Sequence, residues 1–453
     1  MSVQKLFIAN RGEIAVRIIR AARELGIRTV VGASEADAAS YAAGLADECV
    51  IIGPAAAGKS YLNQQVVLRA ALDSGCDALH PGYGFLSENA DFARAVIGAG
   101  LVWVGPSSES IEMMGNKARA RQAAEAAGVP TLRGSRGIVT PGDELLFEAV
   151  AIGFPLVVKA SAGGGGRGIR LVERADDLVS TVTLAQAEAL AAFGSADVYL
   201  ERFVQRARHV EVQVLGDGEK VIHLGDRDCS MQRRQQKIME EAPAPDLPDT
   251  VRERIRHTSV ELARRCQYRG LGTVEFLYDP ETNEAAFIEM NTRLQVEHPV
   301  TEMITGLDLV REQLLIAAGG QLRLTQEQVE FRGHAFEFRI NAEDPANGFM
   351  PSPGSLHRVD WPGGPGVRVD SGVVAGSAVA PYYDSLLAKL VVWDTTRGEC
   401  VARSLRALDE VVIDGVQTTL PLLAALLRRP ELRAVDHHST FIETTPDLLG
   451  ALA

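Results

Sequence analysis

The first 114 residues repeat a strand, helix, strand pattern, and this pattern restricts the possible fold more than any other feature. KLFIAN (5–10) is typical of a strand, GEIAVRIIRAAREL (12–25) of a helix with one apolar face, and RTVVGAS (28–34) of the next strand. ECVIIG, CDALHP and LVWVGP continue the strands, with helical segments between them. Strands joined by helices pair in parallel, so residues 1–114 are predicted to form an open parallel α/β domain.

The length of 453 residues is too great for a single hydrophobic core and predicts two to four domains. A net charge of −13 argues against a general nucleic-acid-binding protein, because such proteins carry a basic surplus. Five scattered cysteines without a CxxC pair indicate neither a disulfide framework nor a zinc site. The N-terminus lacks an apolar signal core, and the longest apolar run, LPLLAALL, is too short to span a membrane. We therefore expect a cytoplasmic protein.

Two further domains are predicted downstream, over residues 115–330 and 331–453. A helix is expected from Ile111 through NKARARQAAEAAG, at the entry to the second domain. ADVYLERFV, RHVEVQVLGDG and KVIHLGDRDCS are predicted strands of one antiparallel sheet in that domain. GHAFEFRINAEDP opens the last region, which continues through turns rich in Gly and Pro to further strands and two late helices. We interpret it as a separate α+β domain.

KASAGGGGRGIR (159–170) places four consecutive glycines between two predicted strands. Glycines are costly to order, so a run of them needs a reason such as close backbone approach to a ligand. With Lys159 at its base and Arg167 within it, the hairpin can present N–H donors and positive charge to a polyphosphate. A plain flexible hairpin is the alternative interpretation.

A second candidate phosphate site is Gly53–Ser60, GPAAAGKS, which matches the P-loop pattern GxxxxGK[ST] between an apparent strand and an apparent helix. A P-loop enzyme also needs a strand that ends in an Asp for magnesium, and the nearest candidate, Asp414, lies in the last region. We therefore expect the pattern to be a coincidence.

Two strands flank the turn DPETNE within residues 273–299, and centring the hairpin on Thr282 places Glu275 opposite Glu289. Facing carboxylates repel each other unless a cation lies between them. Magnesium binds one or two protein carboxylates together with water and phosphate oxygens. The hairpin thus predicts a magnesium site close to the glycine loop.

The segment that follows, EMNTRLQVE, alternates polar and apolar residues, so an extended conformation would place residues 289, 291, 293, 295 and 297 on one polar face. A strand whose polar side faces water is the ordinary explanation of such alternation. A carboxylate beside Arg and Gln donors next to a metal site instead favours a general base that acts on a small anion.

Six segments together resemble biotin carboxylase, a member of the ATP-grasp superfamily, from about residue 4 to about residue 445. They are HPGYGFLSEN, KASAGGGGRGIR, RHVEVQV, DRDCSMQRRQQK, EMNTRLQVEHPVTEMITG and RINAEDP. The resemblance implies an ATP-grasp fold with a glycine-rich lid over about 131–203 in the central domain. It also implies that ATP phosphorylates bicarbonate to carboxyphosphate, which delivers CO2 to the ureido nitrogen of biotin.

The resemblance also implies residue roles. Nucleotide contacts fall on Lys117, Lys159, Gly164, Gly165, Gly166, Glu201, His209 and Gln232. Magnesium or manganese falls on Glu275, Glu289 and Asn291. Bicarbonate is expected at Lys237, Arg293, Gln295, the Val296 backbone and Glu297, with Glu297 as the base. Arg339 is expected to stabilise carboxyphosphate and the biotin enolate, and Tyr83 to border the biotin site. We leave His80, His298 and His334 out of the catalytic set, and we interpret Cys229 as a buried bystander.

Some positions depart from the family pattern. Ala162 replaces the first of five glycines, and Gln235 stands where many members have a His. Pro365 occupies a position that is aromatic in some dimeric members, although Arg20 and Glu24 match other contacts of that dimer, so a homodimer is expected. No Met-Lys pair is present to accept biotin. Biotin is thus expected on a biotin carboxyl carrier protein, with a carboxyltransferase as a further partner.

We expect the chain to serve acetyl-CoA carboxylase in fatty acid biosynthesis. Propionyl-CoA, methylcrotonyl-CoA, pyruvate and urea carboxylases use similar subunits, so each of them is a competing hypothesis. Three hypotheses of a different kind are an ATP-grasp ligase that joins a carboxylate to an amine, a nucleotide-switched protein that uses Gly53–Ser60, and a silent ATP-binding scaffold.

Overall fold

The computed structural model describes residues 3–161 and 168–450. The first region forms a five-stranded parallel sheet with the order β3-β2-β1-β4-β5, as predicted. Ile14, Ile18 and Ile19 of the first helix are buried against the sheet, which explains the apolar stripe in the sequence. The elements are β1 (Lys5–Ile8), α1 (Gly12–Glu24), β2 (Arg28–Ala33), α2 (Tyr41–Leu45), β3 (Glu48–Ile51), α3 (Gln64–Asp73), β4 (Ala78–His80), α4 (Ala90–Gly98) and β5 (Val102–Trp103).

The helix predicted from Ile111 is two helices, so that expectation is wrong. They are α5 (Ser108–Gly115) and α6 (Lys117–Ala126). Asn116 between them has an extended backbone, and its side chain accepts a hydrogen bond from the Arg119 backbone N–H. An Asn that caps a new helix start outweighs the continuous helical pattern around it.

The predicted lid is a small unit with its own apolar core, which includes Leu156, Val158, Val182 and Leu200. Its three-stranded antiparallel sheet has the order β7-β6-β8. The glycine segment joins β6 to β7, as the predicted hairpin requires. The elements are α7 (Asp143–Ile152), β6 (Leu156–Ala160), β7 (Ile169–Val172), α8 (Leu178–Phe193) and β8 (Val198–Arg202).

The largest sheet has eight strands in the order β13-β12-β9-β10-β11-β14-β21-β19. The strand of ADVYLERFV, β8, pairs in the lid sheet and not with these strands, which corrects the prediction of one common sheet. The central elements are β9 (Arg208–Asp217), β10 (Val221–Arg233), β11 (Gln236–Ala242), α9 (Asp249–Arg265), β12 (Arg269–Asp279), β13 (Glu284–Asn291), α10 (His298–Thr305) and α11 (Leu309–Ala317).

The last region supplies three strands of the same sheet, so the sheet continues across the predicted boundary near residue 330. The division into three domains stays a prediction. The remaining elements are β14 (His334–Asn341), β15 (Glu343–Asp344), β16 (Met350–Pro351), β17 (Gly354–Ser355), β18 (Arg358–Asp360), β19 (Val367–Ser371), β20 (Ala378–Val379), β21 (Leu386–Asp394), α12 (Arg397–Glu410), β22 (Val412–Asp414), α13 (Leu420–Arg428), α14 (Pro430–Arg433), α15 (Phe441–Thr444) and α16 (Pro446–Gly450).

Helix α10 covers part of this sheet. Its residues Val300 and Ile304 pack with Ala242, Ala335 and Val391 of three neighbouring strands. Side chains that share this face of β11, β14 and β21 are therefore shielded from water. Among the helices of residues 3–161 and 168–450, none is long and apolar enough to cross a lipid bilayer.

Candidate active site

A row of glutamates crosses three neighbouring strands of the large sheet. Glu275 on β12 lies opposite Glu289 on β13, which confirms the predicted hairpin register, and also opposite Glu211 on β9. The buried guanidinium of Arg227 on β10 continues the row, with its Nε 2.6 Å from Glu211 Oε1. Carboxylates on adjacent strands repel one another, so the row depends on cations for its stability.

Lys237 on β11 supplies one of these cations. Its Nζ lies 2.7 Å from Glu211 Oε2 and 3.3 Å from Glu275 Oε1, and it also forms an ion pair with Glu297. Burial alone would lower the pKa of this amine, but the surrounding acidic groups raise it well above its ordinary value. Lys237 is therefore a fixed positive charge at the centre of the acidic row.

Glu275 and Glu289 differ in how far they are neutralised. Burial would raise the pKa of Glu275, but Lys237 and His209, whose Nε2 lies 3.0 Å from Glu275 Oε2, lower it. Burial raises the pKa of Glu289, and the charge of Glu275 adds to that rise. The Glu289 side chain forms no hydrogen bond or ion pair with another residue that the structure describes, and it is half-buried. A facing pair in which one carboxylate lacks a described protein partner fits a divalent cation.

The segment after β13 is not a continuation of the strand, so the condition for one polar strand face over 289–297 is not met. β13 ends at Asn291, and Glu297 lies in a turn directly before α10. Side-chain hydrogen bonds still bring the predicted residues together. Arg293 donates to Asn291 Oδ1 (2.8 Å) and Gln295 Oε1 (2.6 Å), and the amides of Asn291 and Gln295 donate to Glu275 Oε1 (2.9 and 3.0 Å).

Residues 292–297 therefore link the metal pair, Glu275 and Glu289, to the predicted bicarbonate site. Asn291 orients Glu275 in this arrangement, because its amide donates to that carboxylate and its oxygen accepts from Arg293. Arg293 is held from the other side by Glu88, whose Oε2 accepts from its Nε at 2.8 Å.

Glu297 is almost fully buried, at 1% exposure, and lies between two cations. Oε1 accepts from Lys237, and Oε2 accepts from Arg339 NH2 at 2.9 Å. Burial would raise the pKa of Glu297, but Lys237 and Arg339 hold it well below the ordinary carboxyl range. Cys229 lies beside it, with Sγ 3.9 Å from Oε1, and burial raises the pKa of that thiol well above its ordinary value. The thiol therefore stays protonated, as expected of a bystander.

Tyr83 reaches this turn through two buried side chains. Its hydroxyl donates to Glu13, and Glu13 Oε1 lies 3.0 Å from the Nζ of Lys389. Lys389 is fully buried and donates to the Val296 carbonyl at 2.8 Å. The predicted biotin-site tyrosine is thus connected to the residue that precedes Glu297.

The predicted nucleotide residues come from the lid, from the start of α6 and from the large sheet. In the lid, Lys159 forms an ion pair with Glu201 across the β6–β8 pair. Lys117 begins α6 and contributes to the charge around Glu289. Gln232 on β10 pairs in register with Lys237 and donates to the Cys229 carbonyl at 3.3 Å. Gly164, Gly165, Gly166, Ala162 and Arg167 lie outside the described residues.

The P-loop-like segment does not have P-loop geometry. The only helical turn within Gly53–Ser60 is the 3-10 turn Ala57–Lys59, and α3 begins later, at Gln64. Ser60 is fully buried and its hydroxyl donates to the Ala56 carbonyl at 3.0 Å, so its side chain is not exposed for contact with a bound nucleotide. A P-loop needs a helix N-terminus directly after the Lys and Ser. The expectation of a coincidental match agrees with this geometry.

Comparisons with known proteins point to one family. Sequence models match residues 2–111 (biotin carboxylase, N-terminal domain), 116–325 (carbamoyl-phosphate synthase L chain, ATP binding domain) and 337–444 (biotin carboxylase C-terminal domain). The chain is 49% identical to biotin carboxylase 1 of Bacillus subtilis over 99% of this chain and 100% of that protein. The chain belongs to the biotin carboxylase family.

Two further similar proteins are named for different carboxylases. A pyruvate carboxylase subunit of Methanothermobacter thermautotrophicus is 46% identical, over 97% of this chain and 89% of that one. The biotin carboxylase domain dimer of 2-oxoglutarate carboxylase from Hydrogenobacter thermophilus, solved with MgADP, ADP and bicarbonate, is 45% identical with a TM-score of 0.92 and covers 99% of both chains. The predicted ATP-grasp fold, ligase class and ATP, magnesium and biotin chemistry are confirmed for this biotin carboxylase family member.

Several residues of this site received no role from the sequence alone. Glu211 and Glu88 lie within segments that carried the family resemblance, but neither was predicted to act there. Glu13, Glu240 and Lys389 were also missed. The sequence did contain an indication for Lys389, because a single Lys inside the apolar strand LLAKLVV needs a buried partner. The partners themselves come from distant parts of the chain.

Proposed function

We propose that this biotin carboxylase uses ATP, a divalent cation and bicarbonate to carboxylate biotin that is carried by a separate protein. The observation that carries the proposal is Glu297, a buried carboxylate held between Lys237 and Arg339 at the end of the turn from the metal pair. A base between two fixed cations suits a substrate that is itself an anion.

Bicarbonate binds, in this proposal, to Lys237, Arg293, Gln295 and the backbone of Val296. Lys117 and Lys159 hold the ATP phosphates, with Glu201, His209, Gln232 and the lid glycines around the nucleotide. Glu275 and Glu289 hold the cation, which neutralises phosphate charge when bound.

Glu297 then takes the proton from the bicarbonate hydroxyl, and the deprotonated oxygen attacks the γ-phosphorus of ATP as ADP leaves. The depressed pKa of Glu297 makes it a weak base in the absence of substrate. When bicarbonate takes up part of the positive charge of Lys237 and Arg339, those cations stabilise the carboxylate less and its pKa rises. Base strength is therefore coupled to substrate binding.

Arg339 remains beside Glu297 and stabilises the negative charge of carboxyphosphate, while Tyr83 borders the place where biotin enters. Phosphoryl transfer depends mainly on positioning and charge neutralisation, which this set of fixed cations supplies.

The test is phosphate release from ATP with magnesium, measured with and without bicarbonate and free biotin, in the native chain and in Glu297→Gln. We expect release that requires bicarbonate, rises with biotin and is lost in the variant. The matched control is Glu241→Gln, an equally buried Glu that pairs with Arg397 elsewhere on the same sheet. Release that ignores bicarbonate and survives Glu297→Gln would instead favour a ligase that joins a carboxylate to an amine.

The final acceptor is proposed to be acetyl-CoA, with a biotin carboxyl carrier protein and a carboxyltransferase as partners. The similar proteins include chains named for pyruvate and 2-oxoglutarate carboxylation, so these two acceptors compete with acetyl-CoA. Co-purification of the chain with its biotinylated partner, followed by acceptor trials, distinguishes them. We further propose a cytoplasmic homodimer, to be checked by cell fractionation and by sedimentation.

A further inference from the structure

Arg339 has a second carboxylate partner that the proposed mechanism does not use. While its NH2 group reaches Glu297, its Nε donates to Glu240 Oε1 at 2.6 Å. Glu240 lies on β11 and is 1% exposed. The guanidinium is thus held by two carboxylates, the proposed base Glu297 and Glu240.

A third carboxylate stands directly across from Glu240. In the β11–β14 pair, Glu240 lies opposite Glu337, which is fully buried. Glu337 shares its face of β14 with Ala335, and α10 packs over that face, which explains why water is excluded. Glu240 Oε2 and both oxygens of Glu337 lack a hydrogen-bond partner in the part of the chain that the structure describes.

Two ionised carboxylates in this position would be strongly unfavourable. Buried charges require partners, and facing carboxylates that share a dry site keep a proton between them. Arg339 neutralises Glu240, but no hydrogen bond within residues 3–161 or 168–450 neutralises Glu337.

The charged groups around the pair come from four elements. Arg339 (β14), Lys389 (β21) and Lys237 (β11) are the cations, and Glu297, in the turn before α10, is the anion that faces it. Lys389 is itself paired with Glu13 on α1 and lies near Asp370 on β19, so its charge is divided.

Burial raises the pKa of Glu240 to about 7 even though Arg339 opposes the rise, and burial raises the pKa of Glu337 well above its ordinary value. The two shifts belong to facing carboxyl groups that titrate together, and the pair keeps a proton at neutral pH.

We propose that Glu240 and Glu337 share one proton and act as positioning residues that hold Arg339 in place while Glu297 gains and loses its own proton. The inference rests on the proposed function for its catalytic meaning. When Glu297 becomes protonated, its hold on Arg339 weakens, and the Glu240 contact at Nε keeps the guanidinium aimed at the reacting anion. The shared proton prevents a further negative charge from pulling Arg339 away from that anion.

The first test does not depend on activity. Infrared difference spectra at pH 7, in H2O and D2O, compare the native chain with Glu240→Gln and Glu337→Gln. Glu337→Gln should remove one protonated-carboxyl band, because the Glu240 left behind ionises beside Arg339. Glu240→Gln should shift that band, because the proton on Glu337 then faces an amide instead of a carboxylate. Glu241→Gln, at the next position on β11 and equally buried, should keep that band. A band that survives Glu337→Gln, or that does not shift in Glu240→Gln, would overturn the shared proton.

The second test is the pH profile of bicarbonate-dependent phosphate release. We expect Glu240→Gln to lower kcat about tenfold or more while KM for MgATP stays within about twofold, since the loss is one of orientation. Glu337→Gln mimics the protonated partner, so its kcat at pH 7 should fall by no more than about threefold, and the decline at alkaline pH should flatten. Equal losses in both variants, with unaltered pH profiles, would show a merely structural role.

The two tests separate failure of the inference from failure of the proposed function. If the native chain shows no bicarbonate-dependent release, the proposed function fails, and the infrared result still decides whether the pair shares a proton. Near-native thermal unfolding of both variants is required before the kinetic comparison is made.

Discussion

Glu297 and Glu337 both lie near Arg339 and are both almost completely buried, yet their ionisation is opposite. Glu297 accepts from Lys237 and Arg339, and its pKa is held well below the ordinary carboxyl range. The carboxyl group of Glu337 has no hydrogen-bond partner among the described residues, and its pKa is raised well above that range. Burial disfavours charge in both, so the difference comes from the cations that each one contacts. Partner geometry, not depth, decides which carboxylate can serve as a base.

The largest expected effect is at Glu297 itself. Glu297→Gln keeps the shape but removes the proton acceptor, so bicarbonate-dependent kcat should fall by about 10²- to 10⁴-fold, the range for loss of a general base. The measurement is steady-state phosphate release with bicarbonate varied. A loss below about tenfold would mean that another group takes the proton and would break the comparison with Glu337.

The second largest effect is expected at Arg339, which contacts Glu240 and Glu297. Arg339→Lys keeps the charge but replaces the planar guanidinium, whose Nε and NH2 groups reach Glu240 and Glu297, with a single ammonium on a shorter and more flexible stem, so kcat should fall by about 10- to 100-fold. The control is Arg397→Lys, because Arg397 forms a similar two-contact pair with Glu241 on the other side of the sheet. If both variants lose the same activity, general destabilisation and not positioning explains the result.

Glu289 extends the comparison to a carboxylate whose proposed partner is a metal ion and not a side chain. Glu289→Gln should raise the magnesium concentration for half-maximal activity by about tenfold or more. Without divalent ions the same change should leave the free energy of unfolding unchanged or increase it by about 0.5 kcal/mol, because repulsion from Glu275 is removed. Titration with magnesium and denaturant unfolding in chelator measure the two effects. Loss of stability in chelator would contradict the metal assignment.

Opposite ionisation should also give opposite pH dependence of stability. Arg397 lowers the pKa of Glu241 to about 2 against the effect of burial, so its stabilisation is present above the ordinary carboxyl pKa and is lost as pH falls toward 2. Glu337 has a raised pKa, so the folded state keeps a proton that the unfolded state loses, and stability declines as pH rises above the ordinary range.

Glu337→Gln should therefore reduce the decline in unfolding free energy between pH 6 and pH 8.5, by up to about 1.4 kcal/mol per pH unit. Glu241→Gln should reduce the decline below pH 4.5. Denaturant unfolding at several pH values checks both slopes. Interchanged slopes would mean that the carboxyl charges are assigned the wrong way round.

The smallest effect is expected at Lys59, which lies in a P-loop-like sequence but not in P-loop geometry. Lys59→Ala should change KM for ATP by less than about twofold, because no helix begins directly after it. Lys159→Ala, at the base of the glycine hairpin and paired with Glu201, should raise KM for ATP by about tenfold or more. Equal effects at the two lysines would revive the P-loop interpretation.

The sequence by itself determined the features that depend on local periodicity. The parallel sheet of the first region follows from strands separated by amphipathic helices, and the facing of Glu275 and Glu289 follows from counting along a hairpin. Both are short-range consequences of the period of two in a strand and 3.6 in a helix. The motif order was sufficient to place the chain in its family.

Tertiary structure decided the strand pairings and side-chain contacts that local periodicity does not determine. Only the fold shows that β8 joins the lid sheet while β14, β21 and β19 extend the large sheet. Only the fold ends β13 at Asn291 and gathers the following polar side chains by hydrogen bonds rather than by a shared strand face. Glu240, Glu337 and Lys389 meet around Arg339 and the Val296 carbonyl because strands from distant parts of the chain lie side by side. Their charges depend on those neighbours, and sequence spacing holds no information about contacts of that range.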